Sequence, residues 1–179
     1  MAKLNKDELT EALRRVRLLL LDVDGVLTDG RIIYNDRGEE TKVFHVRDGL
    51  GIRLLIQAGI EVGIVTGRSS RALFHRCRNL GITRVHDGVK DKVAALESIL
   101  ADAGLEKGQA AFVADDLPDL GIMGRVGLAV AVADAAPIVR ERADWVTKAP
   151  GGGGAVREVA EAILTAQGIW EQVLKRLSL

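Results

Sequence analysis

Asp22 and Asp24 stand two residues apart in the run Asp22-Val23-Asp24-Gly25-Val26-Leu27-Thr28, directly after an unbroken aliphatic stretch. Side chains two apart on a strand share a face, so both carboxylates converge where that stretch ends. Such a pair beside apolar residues is costly unless a cation or hydrogen-bond donors meet it. A second polar segment, Thr66-Gly67-Arg68-Ser69-Ser70, offers a hydroxyl and backbone amides at the entry to a helix, which is a natural anion site. Lys92 opens a later helix, and Asp115-Asp116-Leu117-Pro118-Asp119 sets further acids after another apolar run. Singly, these residues read as turns, helix caps or a solvated lysine. Together they supply a nucleophile, an ammonium, a hydroxyl, free amides and enough carboxylates for a divalent cation. Closely packed acids repel strongly without such an ion, so Mg²⁺ is expected.

Strands alternating with glycine-stopped helices must position these groups. Helical spacing covers Leu4 to Val16, and Arg17 to Val23 reads as a strand buried on both faces. Arg31 to Tyr34 and Thr41 to Val46 flank a turn-rich Asn35-Asp36-Arg37-Gly38, which predicts a projecting β-hairpin. Further strands are expected over 61–65, 83–86, 109–114 and 127–131, and helices over 50–58, 69–80, 90–103, 117–124 and 138–142. A last helix runs from Ala155 to about Gln167 after Pro150 and four glycines, and another starts near Ile169. The fold class is therefore α/β: a doubly wound, Rossmann-like parallel sheet with helices on both faces. In such sheets ligands lie beyond the carboxyl ends of the strands, where every polar motif above falls.

The 179 residues fit one domain, with a core over about 17–150 and a glycine-rich tail and helix over 151–179. Lysine plus arginine (25) balances aspartate plus glutamate (25), which argues against nucleic acid or an anionic membrane as a partner. Aromatics at 3% leave no stacking platform for single strands. A single cysteine, Cys77, excludes an internal disulfide, and the charged segment before Arg17 has no signal-peptide core. No apolar run approaches the ~20 residues of a membrane span. A cytoplasmic protein is expected.

The four motifs, in order, resemble those of the haloacid dehalogenase superfamily of phosphatases. Phe44-His45-Val46-Arg47-Asp48-Gly49-Leu50-Gly51-Ile52-Arg53, Val130 to Ala135 and Gly151 to Glu158 resemble, more narrowly, the 3-deoxy-D-manno-octulosonate 8-phosphate phosphatases of lipopolysaccharide biosynthesis. The similarity runs from about Arg17 to Gln167, with departures at Ala114, where glycine is expected, and His45, where asparagine is. The resemblance implies that Asp22 attacks phosphorus and forms an aspartyl-phosphate, while Asp24 protonates the leaving oxygen and later activates water. It also implies Mg²⁺ held by the side chains of Asp22 and Asp115 and the backbone carbonyl of Asp24. Asp116 and Asp119 then orient waters and Lys92; Thr66 and the Gly67 amide hold phosphoryl oxygens, and Lys92 offsets their charge.

The basic residues from Val43 through Val89 are all arginine, a side chain suited to carboxylate and phosphate. The family comparison suggests His45, Val46, Arg47, Asp48, Gly49, Arg53, Arg68 and Arg76 as contacts of an eight-carbon sugar acid phosphate. Too few residues separate the motifs for a cap domain. The resemblance implies instead a homotetramer whose hairpins assemble and whose neighbours close the site. Gly151 to Gly154 with Arg157 would then be a flexible tail reaching an adjacent subunit, or simply a flexible entry into the terminal helix. The rival readings are a phosphatase for a nine-carbon keto-deoxy sugar acid 9-phosphate and, in another class, a phospho-accepting signalling module.

Overall fold

The computed structural model describes residues 4–176; residues 1–3 and 177–179 lie outside the described residues. The chain begins with α1 (Lys6–Arg15), β1 (Leu18–Leu21), β2 (Ile33–Tyr34), β3 (Glu40–Thr41) and α2 (Val46–Gln57). It continues through β4 (Glu61–Val65), α3 (Arg71–Leu80), β5 (Arg84–His86), α4 (Lys92–Ala103) and β6 (Ala110–Ala114). The last part holds α5 (Leu120–Met123), β7 (Leu128–Ala131), α6 (Pro137–Arg142), β8 (Trp145–Val146), α7 (Ala155–Ala166) and α8 (Trp170–Arg176).

Leucine fills every position of β1, and all four side chains are completely buried. A parallel strand covered by helices on both faces needs such a run, and β1 pairs in parallel with β4 on one side and β6 on the other. The six-stranded sheet has the order β5-β4-β1-β6-β7-β8. The chain thus builds outward from β1 in one direction and then in the other, leaving a topological switch beside β1 where ligands bind. This is the doubly wound α/β sheet expected, with no element between β1 and β4 beyond the hairpin and α2. β8 is the strand that periodicity missed, because two half-buried residues are too few to show a period.

Side-chain caps set the starts of α1 and α4. Asn5 Oδ1 accepts from Asp7 N and Glu8 N while Glu8 Oε2 accepts from Asn5 N, a reciprocal cap on α1. Asp91 accepts from Val93 N and Ala94 N, so α4 starts at Lys92. By contrast, α2 begins at Val46, four residues before the expected Leu50. Gly49 and Gly51 look like interruptions, but they admit neighbours: a Cβ on Gly49 would lie 2.1 Å from Arg76 Nη2, and one on Gly51 3.1 Å from Ala160 Cβ. The hairpin is shorter than expected, pairing only Ile33 with Thr41 and Tyr34 with Glu40. Residues 42–45 leave the ladder, and Lys42 turns inward to Asp24.

The flexible tail is corrected. Val156, Val159, Ala160, Ile163 and Leu164 of α7 are fully buried, and α7 packs along α2 within the core. The glycines preceding it are clamped: Gly151 N donates to Asp134 Oδ1 at 2.9 Å and Gly152 N to Val26 O at 2.9 Å. A Cβ on Gly151 would fall 1.7 Å from Gly25 O, so glycine here is a condition of close approach. The glycine run braces the loop after β1 from behind.

Candidate active site

Leu21 of β1 is in register with Ile64 of β4 and Val113 of β6. The three strands therefore end within one residue of one another, and Asp22, Thr66 and Asp115 emerge together at their carboxyl edge. They line a cleft of about 320 Å³ with Asp24, Gly67, Arg68, Lys92, Asp116 and Asp119. Gly25 lets the loop pass: its φ is +88°, and a Cβ there would lie 2.0 Å from Asp115 Oδ2.

Carboxylate oxygens of Asp22, Asp115 and Asp119 lie within 4.8 Å of one another. Buried Lys92 bridges two of them, with Nζ 2.5 Å from Asp119 Oδ1 and 3.0 Å from Asp22 Oδ1. Burial works against the Lys92 ammonium, yet Asp22 and Asp119 hold its proton more firmly than in a free lysine. Burial, then the charges of Asp22, Asp119 and Asp116, pushes the Asp115 carboxyl up to about 8. Burial and Asp22 push Asp119 up to about 6, against the pull of Lys92. Asp115 Oδ1 is buried without a hydrogen-bond partner, and so is Asp22 Oδ1, whose contact with Lys92 is close but poorly aligned. Three acids facing one ammonium, with bare oxygens between them, fit a hard divalent cation such as Mg²⁺. Asp119, expected only to orient waters and Lys92, lies within the acidic cluster itself.

Asp24 faces the hairpin. Its Oδ1 accepts from Lys42 Nζ, while Arg68 Nε lies 3.4 Å from its Oδ2. Arg68 also reaches Glu40 Oε1 at 2.9 Å and Tyr34 Oη at 3.3 Å, which ties the hairpin to the Thr66 loop. Sequence reasoning missed Lys42 and Glu40. The all-arginine stretch begins at Val43, just past Lys42, and a Glu-x-Lys pair on a hairpin reads as solvated surface.

The cleft does not include His45, Val46, Arg47, Asp48, Gly49, Arg53, Arg76 or Arg157. Asp48 is buried and caps α7, accepting from Gly154 N at 3.3 Å and Arg157 N at 2.8 Å. His45 occupies the N-cap of α2 without a side-chain capping bond. Gly49 makes room for Arg76, which donates to His45 O at 3.2 Å, lies over the Phe44 ring and has a pKa held below its ordinary value by burial and then by the like charge of Arg53. The Arg157 guanidinium lies 2.5 Å from Glu161 and stacks over Trp170. Arg47 and Arg157 line a separate open groove with Glu158 and Glu161, and Val46 and Arg53 point to solvent. Ala114 ends β6 completely buried.

Residues 84–159 match the model of the haloacid dehalogenase-like hydrolases. The chain is 50% identical over 153 residues to the 3-deoxy-D-manno-octulosonate 8-phosphate phosphatase of Escherichia coli K12, covering 86% of this chain and 81% of that one. The chain belongs to the 3-deoxy-D-manno-octulosonate 8-phosphate phosphatase family. Its fold superposes on the Yersinia pestis phosphatase with a TM-score of 0.91 at 47% identity, covering 92% of this chain and 89% of that one. The Moraxella catarrhalis phosphatase, solved with magnesium ion, phosphate ion and KDO, gives a TM-score of 0.94 at 40% identity, covering 97% and 99%. Membership in this phosphatase family sets aside the signalling-module reading, and the acidic cluster is where a magnesium ion fits.

Proposed function

We propose that the protein is a magnesium-dependent phosphomonoesterase that hydrolyses 3-deoxy-D-manno-octulosonate 8-phosphate to the free sugar acid and phosphate, in lipopolysaccharide biosynthesis. One observation carries the reading: Asp22 projects from the central strand into a cluster of acids with bare oxygens, and Thr66 and Gly67 line the other side of the same cleft. In this reading Asp22 attacks phosphorus and becomes an aspartyl-phosphate. Thr66 and the Gly67 amide hold phosphoryl oxygens, and Lys92 balances their charge. Asp24 gives its proton to the departing sugar oxygen and then takes one from the attacking water. Asp22 and Asp115 side chains with the Asp24 carbonyl would hold Mg²⁺, which when bound neutralises phosphoryl charge. Asp116, at the rim, and Asp119, through Lys92, keep these groups in place.

Arg68 and Lys92 are the basic residues that line the cleft among the described residues; His45, Val46, Arg47, Asp48, Gly49, Arg53, Arg76 and Arg157 lie outside it. Direct contact by His45, Arg47, Arg53, Arg76 or Arg157 is proposed only for a site closed by neighbouring copies. Exposed Ile32, Ile33, Tyr34, Val43 and Val46 on and beside the hairpin support self-association, and a cytoplasmic homotetramer is the assembly we propose. Phosphate release with Mg²⁺ from the eight-carbon and nine-carbon sugar acid phosphates tests the reading. A kcat/KM higher for the eight-carbon substrate is expected; a preference for the nine-carbon one would reassign the substrate, and no release from either would overturn the function.

A further inference from the structure

Lys42, Asp24, Arg68 and Glu40 form a closed ring of alternating charge. Lys42 Nζ binds Asp24 Oδ1 and lies 3.3 Å from Glu40 Oε1; Arg68 binds the same Glu40 oxygen at 2.9 Å and lies 3.4 Å from Asp24 Oδ2. The Lys42 side chain is only 2% exposed, though it comes from a hairpin whose strands are otherwise mostly open to solvent. Taking an ammonium out of water from such a position requires close acidic partners, and Asp24 and Glu40 are those partners. Glu40 is held below the usual carboxylate range because Arg68 and Lys42 outweigh its burial. The two oxygens of Asp24 differ as a result. Oδ1 is taken by Lys42, whereas Oδ2 is buried without a hydrogen bond.

We propose that Lys42 is the positioning residue for Asp24: it pins Oδ1 so that Oδ2 is the oxygen presented to the leaving group. The inference rests on the phosphatase reading and deepens it. In the first chemical step a carboxylate oxygen of Asp22 forms a bond to phosphorus as the ester P–O bond breaks. The electron pair of that bond stays on the sugar oxygen, which takes the proton from Asp24 Oδ2. Lys42 touches neither phosphorus nor the leaving group; it acts through Asp24 alone, and Glu40 keeps Lys42 from swinging away.

The test compares kcat/KM, which reports the steps through aspartyl-phosphate formation, for 3-deoxy-D-manno-octulosonate 8-phosphate and for p-nitrophenyl phosphate. An alkoxide needs the proton to leave and a nitrophenolate does not. General acid catalysis contributes on the order of 10²- to 10⁴-fold, so Lys42→Met should lower the alkyl-to-aryl ratio of kcat/KM by about 10²-fold. Lys42→Arg should restore part of the ratio. In an Asp24→Asn background, Lys42→Met should leave the ratio where Asp24→Asn alone puts it, because the two act as one unit. Equal losses on both substrates would overturn the proposal and make Lys42 a fold or binding residue. If Lys42→Met does not fold, Lys42→Met with Glu40→Gln, which removes one charge of each sign, is measured in its place against the same criterion. An unsubstituted protein active on the aryl phosphate but not the sugar phosphate would overturn the substrate assignment, and with it this inference.

Discussion

Asp48 offers the sharpest separation of a structural role from a substrate role. Its carboxylate is buried and accepts from Gly154 N and Arg157 N at the start of α7, over 100 residues away in the chain. Asp48→Ala removes both acceptors and leaves two amides at a partly buried helix start without partners. Hydrogen bonds to charged groups and unsatisfied buried donors are each worth about 1–3 kcal/mol, and the carboxylate's own burial cost offsets part of this. A net loss of roughly 3 kcal/mol is therefore expected. At about 2–4 °C per kcal/mol for a chain of this size, Tm should fall by about 6–12 °C. Asp48→Asn keeps an oxygen for Arg157 N and should recover most of the loss. Thermal unfolding followed by circular dichroism reads Tm, and kcat/KM is measured well below the transition. An unchanged Tm with a large fall in kcat/KM would refute the capping argument and make Asp48 a substrate contact.

Asp22→Asn should abolish turnover while Tm stays near that of the unsubstituted protein; steady phosphate release by the variant would reject Asp22 as nucleophile. In metal-free protein, Asp115 (about 8) and Asp119 (about 6) keep protons that an unfolded chain, whose carboxyls titrate near the ordinary 3.8, has already lost. The stability they confer therefore falls as pH rises from about 4 to about 8. Added Mg²⁺ should raise Tm more at pH 8 than at pH 5, and Asp115→Asn should shrink that increment; equal increments at both pH values would count against a cation among these acids. His45→Asn places a good capping side chain at the bare N-cap of α2 and should raise stability by about 1 kcal/mol, read as a higher Tm. Gly151→Ala drives a methyl into Gly25 O and should both lower Tm and reduce kcat; an unperturbed variant would show that the brace behind the catalytic loop is dispensable.

The sheet and the cluster at its edge were legible because their signals are local. An all-leucine run must be buried on both faces, and Asp-x-Asp, Thr-Gly-Arg, the helix-opening lysine and Asp-Asp-x-x-Asp each follow a strand or open a helix. A parallel sheet then brings those places to one edge, whatever the lengths between them. Tertiary structure alone decided which oxygen meets which cation. Lys42 reaches Asp24 because the hairpin folds back over the cleft, and Asp48 turns to α7 because α2 and α7 pack along glycine and alanine surfaces. The glycine run before α7 is rigid for the same reason. Four glycines permit many conformations in isolation, and the backbone of Gly25 to Asp29 together with the Asp134 carboxylate, pressed against them, selects one. Contacts between residues far apart in the chain leave no periodicity to read, so burial and charge pairing settle them only when the chain has closed on itself.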